Sequence, residues 1–541
     1  MKKQNIWKKN NFKKIKNFLL FLGIIFLSFP LIFPFLKPGF FPTHDGEWAI
    51  VRLGAMHRAL ISGQFPVRWA GNLNFSYGYP LFLFTYPLPY YLGEIFNLLG
   101  FGLIGSIKTL FILSIIFSGL TMFLLGKELF GEIGGLIAAI FYLYAPFRLV
   151  DLYVRGSLGE SLAFVLYPLL FLSLIKFKKN PNFWLAIGAI FYGAVILTHN
   201  ISALLITPFL VIFAFLSCPR CSLGIFLLGV GLASFFFLPA LAEKSKIILS
   251  EVPLADKNQH FVTFSQLLVS SWGYGSPGSK DAFSFQLGLI HLIALFLCLI
   301  VWLKNKDHFF SFFTCCFLMT IFLTLPISSA FWKLPLLKEV DFPWRYLGSA
   351  TFFISLSLGY LGTQKRYLKV VGVALALLAA AVSFRYARPI NFIDYPDEYY
   401  FTNEATTTSA DELMPIWVKE KPTSRPTQKV EIISGRGKIE NLNYDSKKIS
   451  FTVFAEEEVK VQINTIYFPG WYLKVDNQPL TKFEINEPKG VINFVVSSGN
   501  HKVFAYFGET EIRVLADLIS LGSLIVTGGL LVKSWRRKNE D

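Results

Sequence analysis

The chain has 541 residues, of which 53% are hydrophobic and 16% charged, with a mean hydropathy of +0.51. Repeated stretches approach the about 20 apolar residues that span a bilayer, which excludes a water-soluble globular class. The net charge of +16 is scattered between these stretches, as in the cytoplasmic loops of a multi-pass membrane protein, and argues against nucleic-acid binding.

The N-terminus carries Lys2, Lys3, Lys8, Lys9, Lys13, Lys14 and Lys16 before the first apolar run, and no small-x-small cleavage site follows. It reads as an uncleaved anchor with its N-terminus in the cytoplasm. Twelve apolar runs then predict about twelve transmembrane helices: 17–36, 104–125, 132–148, 161–175, 183–197, 201–217, 222–241, 286–303, 309–327, 344–361, 367–384 and 513–533. The run 81–100 contains Pro87, Pro89 and Glu94. If it crossed the membrane, Lys127, Lys176 to Lys179, Arg220, Lys304, Lys306, Lys365, Arg366 and Arg536 to Lys538 would all face outward, against the positive-inside rule. It therefore reads as an interfacial or re-entrant helix on the outer side.

That topology sorts the polar residues. The outer face receives Asp45 and the outer loop 37–103, the stretch Asp151 to Glu160, Thr198-His-Asn200, the 242–285 loop and Asp341 to Arg345. The domains expected are a transmembrane domain 1–384, an extracytoplasmic linker or cap 385–428, a domain 429–510, and a final helix with a basic cytoplasmic tail, 511–541. In 429–510 the pattern turns to period two, as in Ile449-Ser-Phe-Thr-Val-Phe454 and Val491-Ile-Asn-Phe-Val-Val496, punctuated by Ser434-Gly435, Asp476-Asn477 and Ser498-Gly-Asn500. This predicts a small antiparallel β-sandwich of about eight strands outside the membrane.

Five cysteines suggest no disulfide framework. Cys218-Pro-Arg-Cys221 lacks the second pair of a zinc site and reads as a short turn. No Gly-rich phosphate loop or dinucleotide fingerprint occurs. No DxD stands in the first outer loop or near Arg155, so no metal-ligand set is assigned, though lone carboxylates leave room for a divalent cation.

Several outer residues have both a bland and a chemical reading. Asp45, flanked by His44 and Glu47, either caps a helix beginning near Trp48 or does chemistry. Arg155 either snorkels to head-groups or binds a lipid phosphate with its planar fork, with Asp151 four residues earlier and Glu160 nearby. His199 and Asn200 interrupt apolar sequence and form either a hydrogen-bonded turn or part of a site. Trp344 and Arg345 open a span and divide the same way. One site would explain the set: a carboxylate deprotonates an acceptor hydroxyl while cations at the bilayer surface stabilise a phosphate leaving group.

The order of short stretches resembles a known group. They are Thr43-His-Asp45, Gly63 to Trp69, Tyr77-Gly-Tyr-Pro80, Tyr86-Pro-Leu-Pro-Tyr90, Asp151 to Arg155 with Glu160, Thr198-His-Asn200, Phe342 to Arg345, and Tyr467-Phe-Pro-Gly-Trp471 with Val475-Asp476. The chain resembles the bacterial YfhO-like membrane proteins and the related 6-pyruvoyl-tetrahydropterin synthase-related membrane proteins, both similar to the GT-C glycosyltransferases. The resemblance implies a GT-C fold in the plasma membrane and an outward-facing site. It also implies a polyprenyl-phosphate-linked sugar donor, an inverting transfer, and a cell-envelope glycan, lipid or protein as acceptor. By position Asp45 would be the general base. His44, Glu47, Asp151, Arg155, Glu160, His199, Asn200, Trp344 and Arg345 would line the donor or sugar pocket. The acidic-Tyr-Leu-Pro segment of such proteins stands here as Glu412-Leu-Met-Pro415, and either Asp151 or Glu160 could be the second acidic residue. A lipid-sugar transporter, or a membrane anchor for a glycan-binding β-domain, are the competing readings.

Overall fold

The computed structural model describes residues 2–217, 219–251, 255–275, 283–402, 405–408 and 410–540; Cys218, one end of the Cys-Pro-Arg-Cys stretch, lies outside them. The membrane domain is built from helices α1 (Lys2–Leu36), α2 (Gly46–Ile61), α3 (Leu88–Phe96), α4 (Gly102–Leu143), α5 (Leu158–Lys176), α6 (Pro181–Thr198), α7 (Asn200–Ser217), α8 (Pro219–Glu243), α9 (Leu289–Lys304), α10 (His308–Thr324), α11 (Tyr346–Leu358) and α12 (Arg366–Ser383), and α13 (Glu511–Glu540) follows the β-domain. Each of the twelve predicted runs falls on one of these helices. Length and composition, however, qualify eight helices among the described residues as able to cross a membrane, or nine if the pair His308–Thr324 and Pro326–Lys333, bent by 90°, is one span. The difference has three sources. Two predicted runs lie in the single helix α4, broken at Gly131, while α9 and α11 have 16 and 13 residues, short of the about 20 that span hydrocarbon.

Residues 81–100 do not form one continuous helix. The chain turns at Thr85, Tyr86 and Pro87, and α3 has nine residues, a rise of about 14 Å. The missing amide hydrogens of Pro87 and Pro89 sit at the start of α3, where a helix has no use for them. Aromatic rings fill the centre of the bundle: Phe171 lies 5.2 Å from Phe352 and 5.5 Å from Phe313.

Among the described residues, 430–507 form nine strands, one more than the pattern suggests: β1 (Val430–Ser434), β2 (Gly437–Tyr444), β3 (Lys448–Ala455), β4 (Val459–Ile466), β5 (Trp471–Val475), β6 (Gln478–Leu480), β7 (Glu484–Asn486), β8 (Val491–Val496) and β9 (Gly499–Phe507). They make an antiparallel four-stranded sheet β1-β4-β8-β7 and a five-stranded sheet β2-β3-β9-β5-β6. The alternation places Phe451, Val453, Val461, Ile463, Leu473, Phe494, Val503 and Ala505 inside. The three-residue pieces β6 and β7 are too short for a period-two signal.

The β-domain is fastened to the membrane domain. Trp69 packs 4.9 Å from Phe507 and 5.6 Å from Trp471. The Ile466 amide donates to the Tyr77 carbonyl at 3.1 Å. Arg513 of α13 pairs with Glu243 of α8 at 2.8 Å with both side chains buried, and Arg68 reaches Asp517 at 2.7 Å. A strap from the linker runs beside the end of α8, where the Ile248 and Leu249 amides donate to the Met414 and Glu412 carbonyls.

Candidate active site at one end of the bundle

Asp45 is held by backbone. Between α4 and α5 the chain makes a turn at 151–155 that ends in Gly156, whose φ is +60°. The Val154 and Arg155 carbonyls accept the His44 and Asp45 amides at 3.1 and 2.8 Å. A Cβ at position 156 would lie 2.2 Å from Thr43 Oγ1 and 3.0 Å from the Gly46 nitrogen. Glycine is therefore required twice, by the left-handed backbone and by the close approach of the Asp45 loop.

Asp45 stands at the N-cap of α2, yet its carboxylate makes no capping hydrogen bond. Thr43 Oγ1 takes the Gly46 amide instead, at 2.9 Å. The bland reading of Asp45 as a cap thus fails. Its half-buried carboxylate remains available, acting electrostatically on both Arg155 and Arg345.

Arg155 is buried in a cage. Its Nη1 donates to Asp151 at 2.7 Å and to Glu160, and its guanidinium lies 4.9 Å from the Trp344 ring centre. Asp151 also accepts from Ser161 Oγ at 3.1 Å. Burial would lower the Arg155 pKa, but Glu160, Asp151 and Asp45 outweigh it and hold it above the usual arginine range. Burial first, and the Glu160 carboxylate second, push the Asp151 carboxyl well up. A Cβ on Gly348 would come within 2.8 Å of Glu160 Oε1, so α11 leaves room for that carboxylate.

Arg345 is the least satisfied cation. Its Nη1 lies 3.5 Å from His199 Nε2, while its buried Nε has no hydrogen-bond partner. The Arg155 charge repels it, while the Glu160 and Asp45 carboxylates attract it. An anion beside it would supply both the missing acceptor and the missing charge. The Ser202 amide donates to His199 Nδ1 at 3.1 Å. In the neutral ring the proton is then on Nε2, facing Arg345.

Arg345 lines one of two neighbouring openings. It is a cleft of about 430 Å³ whose wall sets Arg345, Lys244 and Lys338 against Glu251, Glu339 and Asp341. An apolar groove of about 500 Å³ runs along α6, α7 and α8 past Ile196, Leu204, Val211, Ile212 and Val230, with Asn200 and Leu336 also lining it. The two openings take neighbouring residues, Asn200 with Ile201 and Leu336 with Lys338.

Not every expected residue joins the cluster. Asn200 turns to the groove, and its Oδ1 accepts the Ile201 amide at 3.1 Å. Glu47 points toward Tyr400, whose pKa it helps to raise, and burial raises its own. His44 donates to the Tyr274 carbonyl at 3.4 Å, and burial lowers its pKa below the usual histidine value. Trp344 contributes its ring face, while its buried Nε1 is unpartnered. Two residues were missed. Arg148 is buried, donates to the Ser161 carbonyl at 3.2 Å and stacks 4.3 Å over Phe164. A lone arginine at the end of an apolar run is a signal for such a place. Tyr86 meets His199 edge-on at 5.2 Å and stands in the field of Arg345. It lay in a quoted stretch without a role. Among the described residues no group of three His, Cys, Asp or Glu side chains is placed to hold a metal ion.

An apolar helical bundle with a buried polar cluster at one end defines the class, a multi-pass membrane protein. The chain belongs to the family described as 6-pyruvoyl-tetrahydropterin synthase related domain, membrane protein, whose model matches residues 83–392. It is 24% identical to a protein of Lactococcus lactis subsp. cremoris (strain MG1363) described as uncharacterized, over 95% of each chain. Similar solved structures include the mycobacterial arabinofuranosyltransferase AftD (15% identity, TM-score 0.39, 68% of this chain and 26% of that one). The apo oligosaccharyltransferase of Archaeoglobus fulgidus is another (13% identity, TM-score 0.42, 77% and 62%). The chain thus spans about a quarter and about three fifths of these two.

Proposed function

We propose that the protein is a GT-C-type glycosyltransferase of the plasma membrane. It transfers a sugar from a polyprenyl-phosphate-linked donor to a cell-envelope glycan, lipid or protein on the extracytoplasmic face, with inversion. The observation that carries this reading is the Asp45 carboxylate, which caps nothing and acts on the buried Arg155 and on the half-buried Arg345, whose Nε is unpaired. Asp45 accepts the proton of an acceptor hydroxyl as that oxygen attacks the anomeric carbon. The bond from that carbon to the phosphate oxygen breaks, and its electron pair leaves with polyprenyl phosphate. Arg345 meets the phosphate charge with Lys338 in the same cleft, where Lys244 is already paired with Glu339. A single displacement inverts the anomeric centre. The apolar groove supports a lipid-anchored donor, because it offers hydrocarbon walls beside the cleft that Arg345 lines. The topology that goes with this reading has twelve spans, both termini in the cytoplasm and the β-domain outside. A divalent cation would act as a supplement to these cations.

The test uses protein in lipid nanodiscs supplied with polyprenyl-phosphate-linked glucose, N-acetylglucosamine, mannose or arabinose, each with a cell-envelope extract. Mass spectrometry follows donor consumption by wild type and Asp45→Asn. Consumption by wild type alone is expected. Transport of the lipid-sugar across vesicles without a transfer product would overturn the proposal in favour of a flippase.

A further inference from the structure

We infer that the cleft between the β-domain and the 62–77 loop is a binding site for an anionic sugar polymer. Its volume is about 530 Å³, and its walls include Arg58, Arg425, Lys429, Tyr444, Asn72 and Ser76. Arg58 and Lys429 face this space against one carboxylate, Asp445, whose Oδ1 accepts the Lys447 and Lys448 amides at 2.8 Å each. Apart from Arg425, the wall is positive on balance and favours an anionic occupant.

The other wall residues fit a sugar. Tyr444 is 53% exposed and offers a flat apolar face with a polar tip, the combination that stacks on a pyranose ring. Asn72 Oδ1 is buried without a hydrogen-bond donor, a vacancy that a hydroxyl would fill. Lys429 Nζ donates to the Ser76 and Asn464 carbonyls at 2.5 and 3.0 Å. These two bonds leave one of its three protons for a ligand.

The backbone of the loop is itself unusual. Asn74, Phe75 and Ser76 have φ of 54°, 54° and 66°, three consecutive left-handed residues, none of them glycine. Each such residue costs on the order of 1 kcal/mol, and such strain gathers where a ligand is held. Here the strained turn presents the Ser76 carbonyl to Lys429. The cleft also lies at the far end of α2 from Asp45. That helix has 16 residues, so the two ends are about 24 Å apart. An occupant touching both must be a polymer.

That the occupant is a polymer and the acceptor rests on the transferase reading, since only then does it reach Asp45; that the cleft binds an anionic sugar chain does not. The experiment uses the full-length protein in phosphatidylcholine nanodiscs and three probes of equal length: a phosphodiester-linked glycan, a uronate oligomer and a neutral glucan. The anionic probes are expected to bind about tenfold or more tightly than the glucan, the better of the two naming the anion. Tyr444→Ala and Arg58→Gln, both at exposed positions, should each weaken binding about tenfold, the worth of one charge-assisted contact, with an unchanged melting temperature. Asp45→Asn should bind as wild type does, so that loss of transfer and loss of binding are separately visible. Equal binding of the neutral glucan, or undiminished binding by the two stably folded variants, would overturn the inference.

Discussion

The Asp45 amide donates to the Arg155 carbonyl at 2.8 Å, so the candidate base and the most enclosed cation are joined through the main chain. Their relative placement survives a change in either side chain. Asp45→Asn should therefore keep the fold and remove the chemistry. Transfer is expected to fall at least a hundredfold, the range for loss of a general base, with no shift in thermal unfolding. A variant that keeps more than a tenth of the wild-type rate would exclude Asp45 from proton transfer.

Gly156→Ala tests the same link from the other side. The added Cβ meets Thr43 Oγ1 at 2.2 Å and leaves the backbone at φ +60°, a conformation that costs a non-glycine residue about 1–2 kcal/mol. The loop carrying Asp45 must shift. The turnover number should drop by more than tenfold while the melting temperature moves by a few degrees. Equal loss in both would mean that the turn only stabilises the fold.

Arg345 should distinguish charge from shape. Arg345→Lys keeps the cation and loses the planar fork, whereas Arg345→Gln loses both. If Arg345 meets a developing phosphate charge, the glutamine variant should lose about 10²–10³ in turnover, with the lysine variant between it and wild type. Steady-state kinetics with a purified lipid-phosphate donor reads this directly. Identical losses for the two variants would assign Arg345 to packing against Phe342 and Trp344.

Lys429 gives the β-domain cleft a pH dependence. Burial pushes its pKa from the ordinary 10.5 down to about 7. Around it stand the Ser76 and Asn464 carbonyls and the Tyr444 ring, with Arg58, Arg425 and Asp445 in the same cleft. Affinity for an anionic glycan should then fall as pH rises through about 7, where Lys429 loses its proton. For stability the sign is opposite. The unfolded chain holds the Lys429 proton up to about 10.5, so stability should rise with pH between about 7 and 10.5. A glycan titration at pH 6, 7 and 8 checks the first, and a flat profile would remove Lys429 from the contact.

Glu243→Ala probes the joint between α8 and α13. It leaves the Arg513 guanidinium, fully buried, without its acid. Removing one partner of such a pair costs about 3 kcal/mol or more. Thermal unfolding in detergent should show a loss of that size, with Arg513 replaced together with Glu243 by apolar residues recovering much of it. Unaltered unfolding would show that the Gly508 and Pro469 carbonyls suffice for Arg513.

Helix and strand order were legible because the apolar runs and the period-two segment are long. Two short strands, β6 and β7, carry too few residues for periodicity to register. Asp45, Asp151, Arg155, Glu160, His199, Trp344 and Arg345 stood out as polar residues at the ends of apolar runs, and the fold gathers them into one cluster. Asn200 stood out equally, yet His199 is an extended residue between α6 and α7, and Asn200, which opens α7, faces the groove instead. Arg148 was hidden because its cost is met by neighbours distant in sequence, the Ser114 carbonyl and Phe164. Tyr86 was hidden because an aromatic residue among many others carries no distinguishing pattern. The β-domain cleft could not be read at all, since Arg58 and Tyr444 are 386 positions apart in the numbering.

Helix α2 has Asp45 at one end and Arg58, Ile61 and Ser62 at the other. A rigid rod between a place of attack and a place of grip is a gauge. On a polymer held at the far end, the reacting unit would sit a fixed count of sugars from the held one, whatever the total length. Chains too short to bridge the rod would be extended from solution, without a tether. The product ladder would then change slope at one length, set by the number of helical turns between Asp45 and Arg58.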